Sequence, residues 1–149
     1  MELINNKSEG FYREIRNIEV YRSDSLTFKE NMAGTFPNES NMLYKFPVNA
    51  EDYERKIPTK LRSGNTFFDV DLNFPLLNLK KENRDKFYQQ FNKRGFVVVL
   101  NSNTEKMVLG NKIEPLSIDF IDGMKDNASG SDQFNISITG ETMIPPKIV

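Results

Sequence analysis

Residues 80–110, KKENRDKFYQQFNKRGFVVVLNSNTEKMVLG, constrain the fold more than any other stretch of the chain. They read as an amphipathic helix, a glycine stop, an apolar strand, a polar turn and a returning strand. Phe87, Tyr88 and Phe91 fall at i, i+1 and i+4 on one helical face, while Lys81, Arg84, Asp85, Gln89 and Asn92 fall on the other. The helix is expected to begin near Lys81. Lys93 and Arg94 suit the negative end of its dipole, and Gly95 supplies a left-handed stop. The run FVVVL at 96–100 then calls for a central strand covered on both faces. Residues 101–105 form a turn, and 106–109 return antiparallel.

The rest of the chain alternates like sheet. From Thr66 to Phe74 the even positions Phe68, Val70 and Leu72 oppose Phe67, Asp69, Asp71 and Asn73, with Pro75 ending the strand. Leu116, Ile118 and Phe120 alternate against Ser117 and Asp119. Phe134, Ile136 and Ile138 alternate against Asn135, Ser137 and Thr139. Ile18 and Val20 share one face of an earlier strand, with Asn17, Glu19 and Tyr21 on the other. A turn at 23–25 leads to a short strand at Leu26 and Phe28, and another strand is expected at 42–46.

Between these strands the chain is broken. Gly34, Pro37, Asn38, Pro47 and Pro58 make residues 30–65 a long loop region, with 47–63 an excursion. That region still carries Met32, Phe36, Met42, Leu43, Tyr44 and Phe46, which is much apolar area for a solvated loop. Residues 1–11 are polar and read as a mobile N-terminal arm. Residues 122–132 are flexible by composition, and Pro145-Pro146 make 140–149 an extended tail without further pairing. The expected fold is one mainly β domain over 1–149. It is a β-sandwich or half-open barrel of about eight antiparallel strands with one flanking α-helix.

Composition narrows the function. The 149 residues contain no Cys and no His, which removes disulfides, thiolate nucleophiles, zinc–sulfur sites and the commonest general base. With 20 basic and 21 acidic residues, no net field draws the chain to DNA or to a membrane. No apolar run approaches the roughly 20 residues of a spanning helix, and residues 1–17 lack a signal-peptide core, so a cytoplasm-like compartment is expected.

The constellations that suggest chemistry are weak. Asp69, Asp71 and Asn73 hold the first three ligand positions of a calcium loop, but Phe74 and Lys80 stand where that loop needs Gly and Glu. A strand also spaces such side chains about 7 Å apart in a row rather than around one ion. No spacing pairs Asp69, Asp71, Asp119, Asp122 or Asp132 for acid–base work. No S-x-x-K motif or phosphate-cradling Gly loop occurs. Lys80, Lys81, Arg84, Lys86, Lys93 and Arg94 are interrupted by Glu82 and Asp85 and read as a solvated helix face. No enzyme and no cofactor is expected.

One resemblance goes further. GFVVVLNSNTEKMVLGN at 95–111, Pro115-Leu116, a Gly/Ser/Asp-rich loop, FNISITG at 134–140 and a closing Pro145-Pro146 follow one another. This order resembles small virion proteins from the tail modules of tailed bacteriophages, over residues 67–146. In them a helix leads into a hairpin of this type, and a strand before a terminal Pro completes the sheet. The resemblance implies a tail-tube-like fold and a non-catalytic virion protein, made in the host cytoplasm, that forms a sixfold ring around the DNA channel. The partners it implies are other copies of the chain and the tape-measure, terminator and baseplate proteins, with DNA only passing through. Assembly would then use Met32, Phe36, Met42, Leu43, Tyr44, Phe46 and Met124, and Asp69, Asp71 and Asn73 would face the lumen. Residues 30–65 fit no part of the pattern, so a tube subunit, terminator, head–tail joining protein and baseplate ring stay open. A monomeric binding module, adaptor or inhibitor is the reading from another class.

Overall fold

A computed structural model describes residues 1–4, 14–26, 37–77, 79–123, 133–145 and 147–148. Its strands are β1 Ile15–Arg22, β2 Met42–Pro47, β3 Glu54–Lys56, β4 Thr59–Arg62, β5 Asn65–Leu77, β6 Lys93–Ser102, β7 Lys106–Leu109, β8 Leu116–Asp122, β9 Gln133–Thr142 and β10 Lys147–Ile148. One α-helix, α1 Lys81–Gln90, joins β5 to β6. The strands form one curled antiparallel sheet, a half-barrel, so the architecture is mainly β with a single flanking helix.

The sheet runs β2-β1-β6-β8-β9-β5, and its far edge is shared by β3 and β4. It forks at β6. One edge of β6 pairs β1, while the other pairs β8 through Lys93–Phe96 and β7 through Val98–Asn101. The concave face collects the alternating apolar positions of every long strand. Ile18, Val98, Leu100, Leu72, Ile118 and Ile138 are each no more than 1% exposed there. Burial of each such side chain contributes about 1.5–3 kcal/mol.

The helix closes this face with aromatic rings. Phe87 stacks with Phe91 at 5.2 Å and meets Tyr44, Phe46 and Phe120 edge-on at 5.0, 5.6 and 5.6 Å. The Tyr44 hydroxyl also donates to Gln90, fixing β2 under the helix. Tyr88, expected on the same face, stays 49% exposed at the rim against Phe120. Arg84, expected in water, is half-buried with its guanidinium over Phe134.

The FVVVL run is covered on both faces, with every residue of 96–100 at most 1% exposed. Its convex face carries Val97 and Val99 beside Tyr21, and Leu26 is buried as well, all outside the main core cluster. Tyr21 and Glu19, on the face opposite Ile18 and Val20, are therefore buried as well.

Three boundaries differ from expectation: the end of α1, the start of β6 and the end of β5. The helix stops at Gln90, and Asn92 rather than Gly95 is its left-handed residue, at φ 66°. Asn92 donates its N–H to Ile118 O at 2.6 Å and accepts Phe120 N–H on Oδ1 at 2.9 Å, so contact with β8 ends the helix. Lys93 and Arg94 accordingly lie in β6, and Gly95, at φ 131°, occupies a bulge against β8. Pro75 does not end β5. It sits past the end of β3 with only β9 beside it, where a missing donor is tolerated on an open edge.

The 47–63 excursion supplies β3 and β4, which pair in tandem with β5. Ser63 and Gly64, at φ 49° and 80°, form a two-residue hairpin turn into β5. The tail pairs too, because β9 continues to Thr142 and β10 lies beside β7. With these additions there are ten strands among the described residues. Of the expected arm, residues 1–4 are described and exposed; its remainder, most of the 26–28 strand and residues 124–132 lie outside the described residues.

Candidate functional site

The most unusual polar group in the fold is Glu19. It lies between Ile18 and Val20 on β1, faces away from the main core, and is only 3% exposed. A buried carboxylate is costly unless its oxygens are satisfied. Here Tyr21, two residues along the same strand, donates its hydroxyl to Oε1 at 3.0 Å. Asn101 of β6 donates Nδ2 to Oε2, and also to Asn17 Oδ1 at 2.6 Å. The Asn101 Oδ1 is itself buried without a hydrogen-bond partner. Burial pushes the Tyr21 hydroxyl well above its ordinary range, and the hydrogen bond and charge of Glu19 and the charge of Glu39 push it the same way.

This network floors a cleft of about 500 Å³ between Asn17, Glu19, Glu39, Lys45, Asn101 and the 102–106 turn. Lys45 stands directly opposite Glu19 in the β1–β2 ladder. With both carboxylate oxygens already accepting, Glu19 holds strands β1 and β6 in register and fixes the cleft floor. Its sequence gave no sign of this beyond a charged residue between two buried ones.

The second polar surface is the convex face of β8, β9, β5 and β3. Cross-strand rows run Ser117–Thr139–Asp71–Lys56 and Asp119–Ser137–Asn73–Glu54. Asp69, Asp71 and Asn73 all lie on this face. Asn73 Nδ2 donates to Asp71 Oδ1 at 3.2 Å, while Asp69 pairs with Lys60 at 2.7 Å. They stand in a line rather than a cage. Among the described residues no group of three or more His, Cys, Asp or Glu is placed to hold a metal ion. No helix of the described residues is long and apolar enough to cross a membrane.

The expected assembly residues divide. Phe46 is 6% exposed and belongs to the aromatic core, and Tyr44 is half-buried and packed against it. Their burial follows from β2 lying under α1. Met42 and Leu43 are half-buried on the same strand. Met32, Phe36 and Met124 lie outside the described residues.

Against known proteins, the chain matches no family model, no curated protein and no solved structure.

Proposed function

We propose that this chain is a non-catalytic structural subunit of a bacteriophage virion, a tail-tube or related tail-ring protein that joins copies of itself head to tail. The observation that carries the reading is a pair of unlike edges, β2 on one branch of the forked sheet and β3 with β4 at the far end. Among the described residues β2 pairs only with β1, and β3 and β4 pair only with β5. A strand edge offers unpaired N–H and C=O groups to another chain. Because the two edges differ, their mutual contact is heterologous, and such contacts repeat until a ring closes or a filament grows.

The remaining features suit that role. The rows of Asp, Asn, Ser and Thr across β8, β9 and β5 make a polar, carboxylate-bearing surface with little to hold a passing polyanion. Turned toward a channel, Asp69, Asp71 and Asn73 repel phosphate and let DNA slide. The basic side chains at the β4 edge are already engaged: Lys60 with Asp69, and Arg62 bidentate with Glu141 at 3.0 and 2.7 Å. The resemblance of residues 67–146 to tail-module proteins supplies the virion context and the sixfold order.

Sedimentation velocity over a hundredfold range of concentration tests the reading. Ring formation gives a species whose mass is a closed multiple of 17.3 kDa and whose fraction rises with concentration. A single 17.3 kDa species throughout contradicts it.

A further inference from the structure

Two recesses on opposite parts of the sheet carry opposite charge. The first, of about 200 Å³, lies where β1 ends and β6 begins, and is lined by Arg22, Ser23, Asp24, Lys93, Arg94 and Gly95. Three cations and one carboxylate converge there. Lys93 and Arg94 are exposed and Arg22 is half-buried. Arg94 donates Nε to Pro115 O at 3.2 Å, but none of the three cations is ion-paired among the described residues. The bulge at Gly95, between Arg94 and Phe96, lies in the wall of this recess beside Lys93 and Arg94.

The second recess, of about 300 Å³, lies at the open edge beside β3. Glu51, Asp52 and Glu54 line it with Asn73, Gln133 and Asn135. All three carboxylate residues are exposed, and Asp52 accepts a 3.2 Å bond from Asn49. From β6 to β3 the sheet takes the steps β6-β8-β9-β5-β3, on the order of 20 Å at roughly 4.8 Å per strand. One molecule cannot bring the two recesses together without unfolding its sheet. Two molecules can.

We infer that the Arg22–Lys93–Arg94 recess of one copy receives the Glu51–Asp52–Glu54 segment of a second copy, an ion-paired contact that fixes the direction of head-to-tail association. The inference rests on the ring reading above and adds an ion-paired contact to its edge pairing. Complementary charge of this kind sets register and encounter rate and excludes the wrong pairing, since basic recess against basic recess is repulsive. A contact between unlike recesses is heterologous by construction, as a ring requires.

Charge exchange tests the contact. One variant carries Lys93→Glu and Arg94→Glu, and the other carries Glu51→Lys and Glu54→Lys. Each alone is expected to associate at least tenfold more weakly than the wild type by sedimentation velocity. An equimolar mixture is expected to recover wild-type association, because reversed recess meets reversed segment and native meets native. Because Arg94 also bonds Pro115, the neutral variants Lys93→Gln and Glu51→Gln repeat the test at exposed positions, with a severalfold loss expected from each. Wild-type association is also expected to weaken as salt rises from 50 to 500 mM. Variants that associate like the wild type, or a mixture no stronger than its parts, overturn the contact and leave the ring reading standing. A wild type that stays monomeric overturns both.

Discussion

Tyr21 donates its hydroxyl to a Glu19 carboxylate oxygen at 3.0 Å, from two residues further along the same strand, with both side chains buried. The pair sits on the convex side of β1, beside Val97 and Val99 of β6. Removing the acceptor leaves the Tyr21 hydroxyl and the Asn101 amide short of a partner. An unsatisfied buried donor costs about 1–3 kcal/mol. Glu19→Ala is therefore expected to lower stability by about 2–4 kcal/mol in urea denaturation, and Glu19→Gln, which keeps one acceptor, by less.

The same burial sets a pH response. The Tyr21 hydroxyl is raised from its ordinary 10.0 by burial, then by Glu19 and Glu39, and Tyr44 is raised by burial. Between its unfolded and folded values each group keeps its proton in the folded state and loses it in the unfolded state. Stability is then fully present below pH 10 and falls as pH rises beyond it. Urea denaturation from pH 9 to 11 is expected to show this decline, with a shallower slope in Tyr21→Phe and a shallower one still when Tyr44→Phe is added.

The helix is held by its aromatic stripe. Phe87 is 5% exposed and touches rings from β2, β8 and Phe91 at the end of α1, whereas Tyr88 is 49% exposed. Phe87→Ala is expected to cost about 3–5 kcal/mol by thermal or urea unfolding. Tyr88→Ala should cost well under half of that, since it removes one edge contact at the rim.

Gly140 marks a close approach of β9 to β8. A Cβ there would lie 2.7 Å from Leu116 Cδ2 and 3.3 Å from the Leu116 Cα. The side-chain tip can turn aside but the backbone cannot. Gly140→Ala is expected to destabilise by about 1–3 kcal/mol, through strain and not lost burial. A Leu116→Ala background, which removes the nearer contact, should reduce that increment.

Asp69 and Asp71 behave differently from these sites. Both stand on the convex polar face, and the Asp69 pair with Lys60 is 31% and 43% exposed at its two side chains. An exposed pair of this kind contributes about 0–1 kcal/mol. Asp69→Ala and Asp71→Ala are expected to leave urea midpoints nearly unchanged. If this face lines a channel, Asp69→Lys with Asp71→Lys converts it into a surface that retains duplex DNA in a low-salt gel shift, where the wild type retains none.

Much of this fold is legible in the chain, for physical reasons that also explain the gaps. β5, β8 and β9 each have one buried and one polar face, so a period of two marks Val70, Leu72, Phe74, Ile118 and Ile136 as core. Strands β3 and β4 leave no such trace, since all of their residues but Arg55 are exposed. Their one local signal is the Ser63-Gly64 turn. The end of α1 is set by Asn92 reaching β8, a contact far away in sequence that local capping preferences cannot anticipate. Glu19 is hidden for the same reason: its burial depends on Asn101, 82 residues away. The convex polar face, in contrast, follows from alternation alone, and Asp69, Asp71 and Asn73 share it as the pattern requires.

Negative-stain electron microscopy of the purified full chain at high concentration tests the central claim most directly. Head-to-tail pairing of unlike edges predicts closed rings with an open centre, or stacks of them, with sixfold class averages as the tail-module resemblance implies. A uniform field of small particles the size of one 17.3 kDa subunit, unchanged by concentration or low salt, would contradict it.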